Sequence, residues 1–274
     1  MTRVSMVICA QEGRDRFLFT ALASALGQDH DDVEVMLAGD TASPRLLAVA
    51  ESRPDVLLVD AAGQSEAAAF NRGALASSGD LLMFLGAEDL QHLRRAHTFA
   101  RAYEVDGRRA DFWGYSGVHF IGEEGAPVDP AELGLGVLGL NAANAVLKPR
   151  IVDGLLQANL VLRAGNIVVT RSLLEEVGGF DPDRYVTADW ALAQALAVHR
   201  DPIVVPEALF QYRLYEPDVP QPTRDQIAAE VTSLAPEIAA LRLDRVTRLG
   251  VLAAGLPGAD HLRRRRPMLS AATM

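Results

Sequence analysis

The stretch Ala67 to Leu90, AAAFNRGALASSGDLLMFLGAEDL, restricts the fold more than any other part of the chain. Ala67, Ala68, Phe70, Ala74 and Leu75 recur at helical spacing and predict a helix with one apolar side. Ser77, Ser78 and Gly79 end it, with Gly79 suited to a left-handed cap. Leu81 to Leu85 is apolar throughout, as a strand covered on both faces requires. The run stops at Gly86-Ala87-Glu88-Asp89, so two carboxylates stand at the carboxyl end of a buried strand. In open α/β sheets ligands bind at that end.

The flanking segments repeat the pattern. Val4 to Ile8 predicts a buried strand, Arg14 to Leu26 a helix burying Phe17, Leu18, Ala21, Leu22 and Ala25, and Val33 to Ala38 a second strand ending at Gly39-Asp40. Ser43-Pro44 opens a helix as N-cap and first-turn proline, and Val56 to Val59 is a third strand. Alternation of this kind predicts a mostly parallel sheet covered by helices. Past Asp89 a helix to about Glu104 buries Leu93, Ala96, Phe99, Ala100 and Tyr103, a strand covers Asp111 to Ile121, and Gly122 to Gly125 is a turn. Leu133 to Leu147 reads as an apolar loop beside a cleft. Its Gly134-x-Gly136-x-x-Gly139 fits the dinucleotide fingerprint only formally, because no strand precedes it. Ile203 to Val205 and Ala208 to Tyr212 are two further strand-like pieces. A proline-rich linker from Pro217 then divides a main domain, residues 1–216, from a helical extension, residues 217–274.

Bulk properties exclude several classes. With 274 residues, 49% of them hydrophobic, the chain can bury a full core. A formal charge of −10 argues against general nucleic-acid binding, which needs a basic footprint. The single Cys9 rules out an intrachain disulfide and a cysteine-rich zinc site. The start is not a signal peptide and no apolar run reaches the roughly 18 residues of a membrane span, so a cytoplasmic protein is expected. Arg263, Arg264, Arg265 and Arg266 form a basic run for which peripheral contact with anionic lipid is the functional reading and a solvated end the plain one. Oligomeric state is not readable.

From Val4 to Tyr215 the chain resembles family 2 glycosyltransferases of the GT-A fold. The matching stretches are VSMVI, Asn71-x-Gly73, the strand before Glu88-Asp89, Val177-Gly178-Gly179-Phe180-Asp181, Asp189-Trp190 and Tyr212-Arg213. It departs from that family where Gly86 replaces the first aspartate of the D-x-D motif, Gln11 the base-stacking aromatic, Gly39 an aspartate, Phe70 an arginine, Ala188 a glutamate and Tyr215 a histidine.

The resemblance implies a nucleotide-sugar donor, with Asp40, Asn71, Trp190 and Arg213 as substrate-binding residues, and inverting transfer to an acceptor hydroxyl. It also implies Mg²⁺ or Mn²⁺ on Glu88 and Asp89, hard cations that take oxygen ligands and bridge to phosphates. Asp189 would be the general base, or else only a first-turn acid in a helix capped by Thr187. The alternative expectation is a non-catalytic GT-A-fold protein that binds a nucleotide sugar or a protein partner, because the departures fall where that family keeps functional side chains.

Overall fold

The computed structural model describes residues 1–147, 154–155, 158–215, 223, 225–234 and 236. Strands β1 (Val4–Ala10) and β4 (Leu81–Gly86) are buried along their whole lengths, as their apolar runs require. They pair in parallel, and β2 (Val33–Gly39) and β3 (Val56–Asp60) extend the parallel sheet from β1. On the other side of β4, the short β7 (Val168–Thr170) pairs antiparallel with both β4 and β6 (Trp113–Ile121). β8 (Ile203–Arg213) runs parallel to β6, and β5 (Leu90–Gln91) closes the edge antiparallel to β8. The order is β3-β2-β1-β4-β7-β6-β8-β5. This is an α/β, mostly parallel sheet covered by helices, as the alternation of strands and helices predicts.

Alternate residues of β1 feed two cores. Val7 and Cys9 join a cluster with Phe70, Phe84, Phe180 and Leu192, while Met6 and Ile8 join Leu18, Leu37 and Phe99. The first cluster lies under α3 (Glu66–Ala76), α6 (Arg171–Val177) and α7 (Ala188–His199). The second lies under α1 (Leu18–Leu26), α2 (Pro44–Ser52) and α4 (Arg95–Val105).

α3 seats against β1 because residue 73 is glycine: a Cβ there would stand 2.2 Å from Val7 Cγ1. α6 ends at Gly178 (φ +88°) and Gly179 (φ +76°), both left-handed, as the Val177-Gly178-Gly179 cap requires.

Several expectations change. The first helix starts at Leu18, not Arg14, since the chain between them makes turns. Leu75 and Leu93 are 61% and 52% exposed, so neither belongs to the core. The expected loop at 133–147 contains a helix, α5 (Gly136–Leu147), its uncharged run of Ala, Leu and Asn outweighing Gly136 and Gly139. The two pieces at 203–212 are one strand, carried past Pro206 by a shift of register at Gly117 of β6. Thr187 does not cap α7 with its own side chain. Of the helical extension, residues 225–234 form a helix, α8, with Leu234 fully buried and Glu230 hydrogen-bonded to the main domain. Arg263 to Arg266 lie outside the described residues.

Candidate functional site

At the carboxyl ends of β1 and β4 a cleft of about 300 Å³ opens between α3, the 159–164 segment and the start of α7. Arg14, Glu66, Asn159, Arg163, Asp189 and Tyr212 are among the residues that line it. Glu88 and Asp89 stand behind this wall, 3% and 0% exposed.

The lost first aspartate has a local physical consequence. A Cβ at residue 86 would lie 2.8 Å from Glu88 Oε2, so the longer Glu88 side chain folds back over the bare Gly86. Arg163 then covers both acids. Its Nη1 donates to Glu88 Oε1 at 2.7 Å, its Nε lies 3.9 Å from Asp89 Oδ2, and its guanidinium stacks 4.5 Å from the centre of the Tyr212 ring. Asp89 Oδ1 accepts the Arg213 amide at 2.9 Å, while Oδ2 is buried without a hydrogen bond. Burial pushes the Asp89 carboxyl up to about 7 against the pull of Arg163, and Glu88 adds to the rise.

The segment that delivers Arg163 is held in an unusual conformation. Leu162 adopts a left-handed backbone (φ +67°), uncommon for a bulky residue. Asn159 clasps it, accepting from the Leu162 amide at 3.1 Å and donating to the Leu162 carbonyl at 3.4 Å. The same Asn159 Nδ2 donates to Asp189 Oδ1 at 3.2 Å, and the Trp190 amide donates there at 2.7 Å. No side chain or amide of another described residue donates to Asp189 Oδ2. Burial raises the Asp189 carboxyl to about 6, against those two donors and Arg163. Glu66, in the first turn of α3, rises to about 7 through burial and the negative charge of Glu88.

The other expected binding residues are engaged elsewhere. Asn71 clasps the α6 cap, its Nδ2 donating to the Phe180 carbonyl at 2.7 Å and its Oδ1 accepting the Phe180 amide at 2.9 Å. Arg213 donates to the carbonyls of Glu88, Gly122 and Glu123 at 2.7 to 2.9 Å and stacks 4.3 Å from the centre of the Phe17 ring. It ties the 122–125 turn to the acidic loop. The Trp190 indole N–H donates to the Leu155 carbonyl. Asp40, exposed after β2, accepts the Ala42 amide at 2.9 Å in a local turn. None of these four lines the cleft.

Arg163, Glu66 and Asn159 do, and none of the three belongs to a motif in the sequence. The one available signal for Arg163 was a lone arginine closing the apolar run Leu160-Val161-Leu162.

The implied divalent cation can be tested against this donor set. Mg²⁺ and Mn²⁺ hold about six oxygens, most of them water or phosphate at such sites, so the carboxylates must open onto the cleft. Here Asp89 is closed off at 0% exposure and Glu88 at 3%, with Arg163 between them and the cleft. The orphan Asp89 Oδ2 is the one atom in favour, yet Arg163 is its nearest cation. Among the described residues no three His, Cys, Asp or Glu side chains gather around a common point. The residues present do not fit the ion.

Comparison with known proteins agrees with the fold. Over 104 residues the chain is 30% identical to an uncharacterised glycosyltransferase of Nostoc sp. (strain PCC 7120), a match covering 36% of this chain and 31% of that protein. The chain thus spans about a third of that relative's length. The S. aureus protein TarS superposes with a TM-score of 0.57 at 14% identity, over 77% of this chain and 37% of TarS. TarS 1–349 in complex with UDP-GlcNAc gives 0.57 at 14% identity, over 78% of this chain and 59% of that one, and its UDP complex gives 0.56. No family model matches the chain. The fold is the one that TarS has, the GT-A arrangement, and the partial match to a glycosyltransferase agrees with the resemblance read from the sequence.

Proposed function

We propose that the chain transfers a sugar from a nucleoside-diphosphate donor to an acceptor hydroxyl, inverting the anomeric centre, in the cleft between α3 and α7. The observation that carries this reading is the pairing of a guanidinium with a carboxylate in one cleft. Arg163 suits a diphosphate, and Asp189 offers a free Oδ2 to an acceptor. Asp189 takes the proton of the acceptor hydroxyl. The acceptor oxygen then bonds to the anomeric carbon as that carbon's bond to the diphosphate breaks, and the bonding electrons leave with the diphosphate. A carboxyl raised to about 6 is ionised at neutral pH yet more basic than an ordinary aspartate, which suits it to that proton.

The similar solved structures of TarS carry UDP and UDP-GlcNAc, and a nucleotide-sugar donor here rests on that likeness of fold. The donor set around Glu88 does not fit a divalent cation, so no step passes through one. Glu66 is available for a sugar hydroxyl. No helix among the described residues is long and apolar enough to cross a membrane. A reducing, cytoplasmic setting suits a chain whose single cysteine, Cys9, is buried and unpaired.

Thermal unfolding against a panel of nucleoside-diphosphate sugars tests the reading. A donor at a hundredfold excess over its dissociation constant adds about 2.7 kcal/mol to stability. A rise for one nucleotide is expected; no rise for any contradicts the proposal.

A further inference from the structure

We propose that Arg163, and not a bound divalent cation, holds the diphosphate of the donor. This deepens the glycosyl-transfer reading and rests on it. The cleft meets the guanidinium directly, whereas Glu88 and Asp89 do not line it. Bare, those two acids would repel a diphosphate at the very end of β4 where a ligand of such a sheet binds. Arg163 faces both, offsets their charge and presents a guanidinium to the cleft in front of them.

Its geometry is prepared for the task. Nη1 is bonded to Glu88 and the plane of the group rests on Tyr212, so the fork is oriented before any ligand arrives. Nη2 has no acceptor among the described residues, and the side chain remains 24% exposed. The planar fork of arginine matches phosphate oxygens in pairs, unlike the point charge of lysine. Arg14, whose Nη2 donates to the Tyr185 hydroxyl at 2.7 Å, lines the same cleft and adds a second positive charge. The left-handed Leu162, fixed by Asn159, aims the next residue at the cleft. A strained conformation held this firmly is a feature of binding sites.

Arg163 therefore takes the place that the degenerate D-x-D motif leaves open. Gly86 removes one acid, Glu88 folds over the gap, and the guanidinium neutralises what remains.

Calorimetric titration of the full chain with the nucleoside diphosphate of the best-binding donor, once in excess EDTA and once in Mn²⁺, tests this. The inference predicts affinities that agree within about threefold, and a loss of about 10²-fold in Arg163→Gln, the size of a lost charge-assisted pair. Arg163→Lys keeps the charge over Glu88 and Asp89, which guards against simple misfolding, and should still lose about tenfold with the fork. Binding that appears only with Mn²⁺, or that survives intact in a folded Arg163→Gln, overturns the inference and leaves the donor reading standing. Absence of binding under both conditions overturns both.

Discussion

Asp189 carries two opposed properties. Its carboxyl is raised to about 6 by burial, which makes it a better base and also a burden on the fold. The sign follows from linkage. A folded-state pKa above the unfolded value gives stability that is complete below the unfolded pKa and lost as pH rises through the folded one. Wild-type stability should therefore decline between about pH 4 and pH 6 from this group. In Asp189→Asn the amide oxygen can still accept from Asn159 and the Trp190 amide, while the buried charge is gone. That variant should be more stable at pH 7 by about 1–3 kcal/mol, from a shift of about two units, as urea unfolding would show. It should also release nucleoside diphosphate from the donor at least about 10²-fold more slowly, with donor affinity unchanged. For the wild type, the release rate should rise with pH through about 6 and then level off. A flat profile and equal turnover in Asp189→Asn would remove the base assignment.

At the scale of the element, the start of α7 is organised by a residue from another helix. Glu230 of α8 accepts the amides of Tyr185, Val186 and Thr187 at 2.9 to 3.0 Å, and the Thr187 hydroxyl at 3.1 Å. Four donors and the positive end of α7 hold its carboxyl below the usual range although partial burial opposes them. Glu230→Ala should lower stability by about 1–3 kcal/mol, since three amides at a helix start lose their acceptor. Because the folded pKa is depressed, this stabilisation is present above the ordinary carboxylate range and fades as pH falls. The gap between wild type and variant, measured by thermal unfolding, should therefore narrow in acid.

The clasp of Asn71 on Phe180 is a second such device. It joins two stretches, Asn71-x-Gly73 and Val177 to Asp181, that are separate motifs in the sequence. Asn71→Ala should cost about 1–3 kcal/mol by leaving both backbone groups of Phe180 unpaired, with donor affinity unchanged within about twofold. A selective loss of affinity without loss of stability would return Asn71 to the substrate-binding residues.

For the whole molecule, what could be read in advance follows from how locally each feature is determined. β1 and β4 were legible because strands covered on both faces must be continuously apolar, and α3 because its caps and period lie within one stretch. β5 has two residues and exists only through its pairing with β8, so no local pattern announces it. α5 was hidden by its glycines.

The carboxylates Glu88, Asp89 and Asp189 could be named from motifs, but their surroundings could not: burial sets the rise at Asp89 and Asp189, and the guanidinium over Glu88 comes from Arg163, 75 residues away along the chain. The surroundings of Arg213 are set at the same kind of distance. Its place in the Tyr212-Arg213 stretch implies an anion ligand, and only the fold reveals that its guanidinium donates to three backbone carbonyls.

The central claim is that one cleft, with Arg163 and Asp189 in its wall, receives the donor. A crystal structure of the chain soaked with the best-binding nucleoside-diphosphate sugar tests it most directly. The account predicts the diphosphate on the Arg163 guanidinium and the anomeric carbon facing Asp189 Oδ2, with no cation between phosphate and Glu88. A nucleotide seated elsewhere on the sheet, or a diphosphate bridged by metal to Glu88 and Asp89 with Arg163 turned aside, would contradict it.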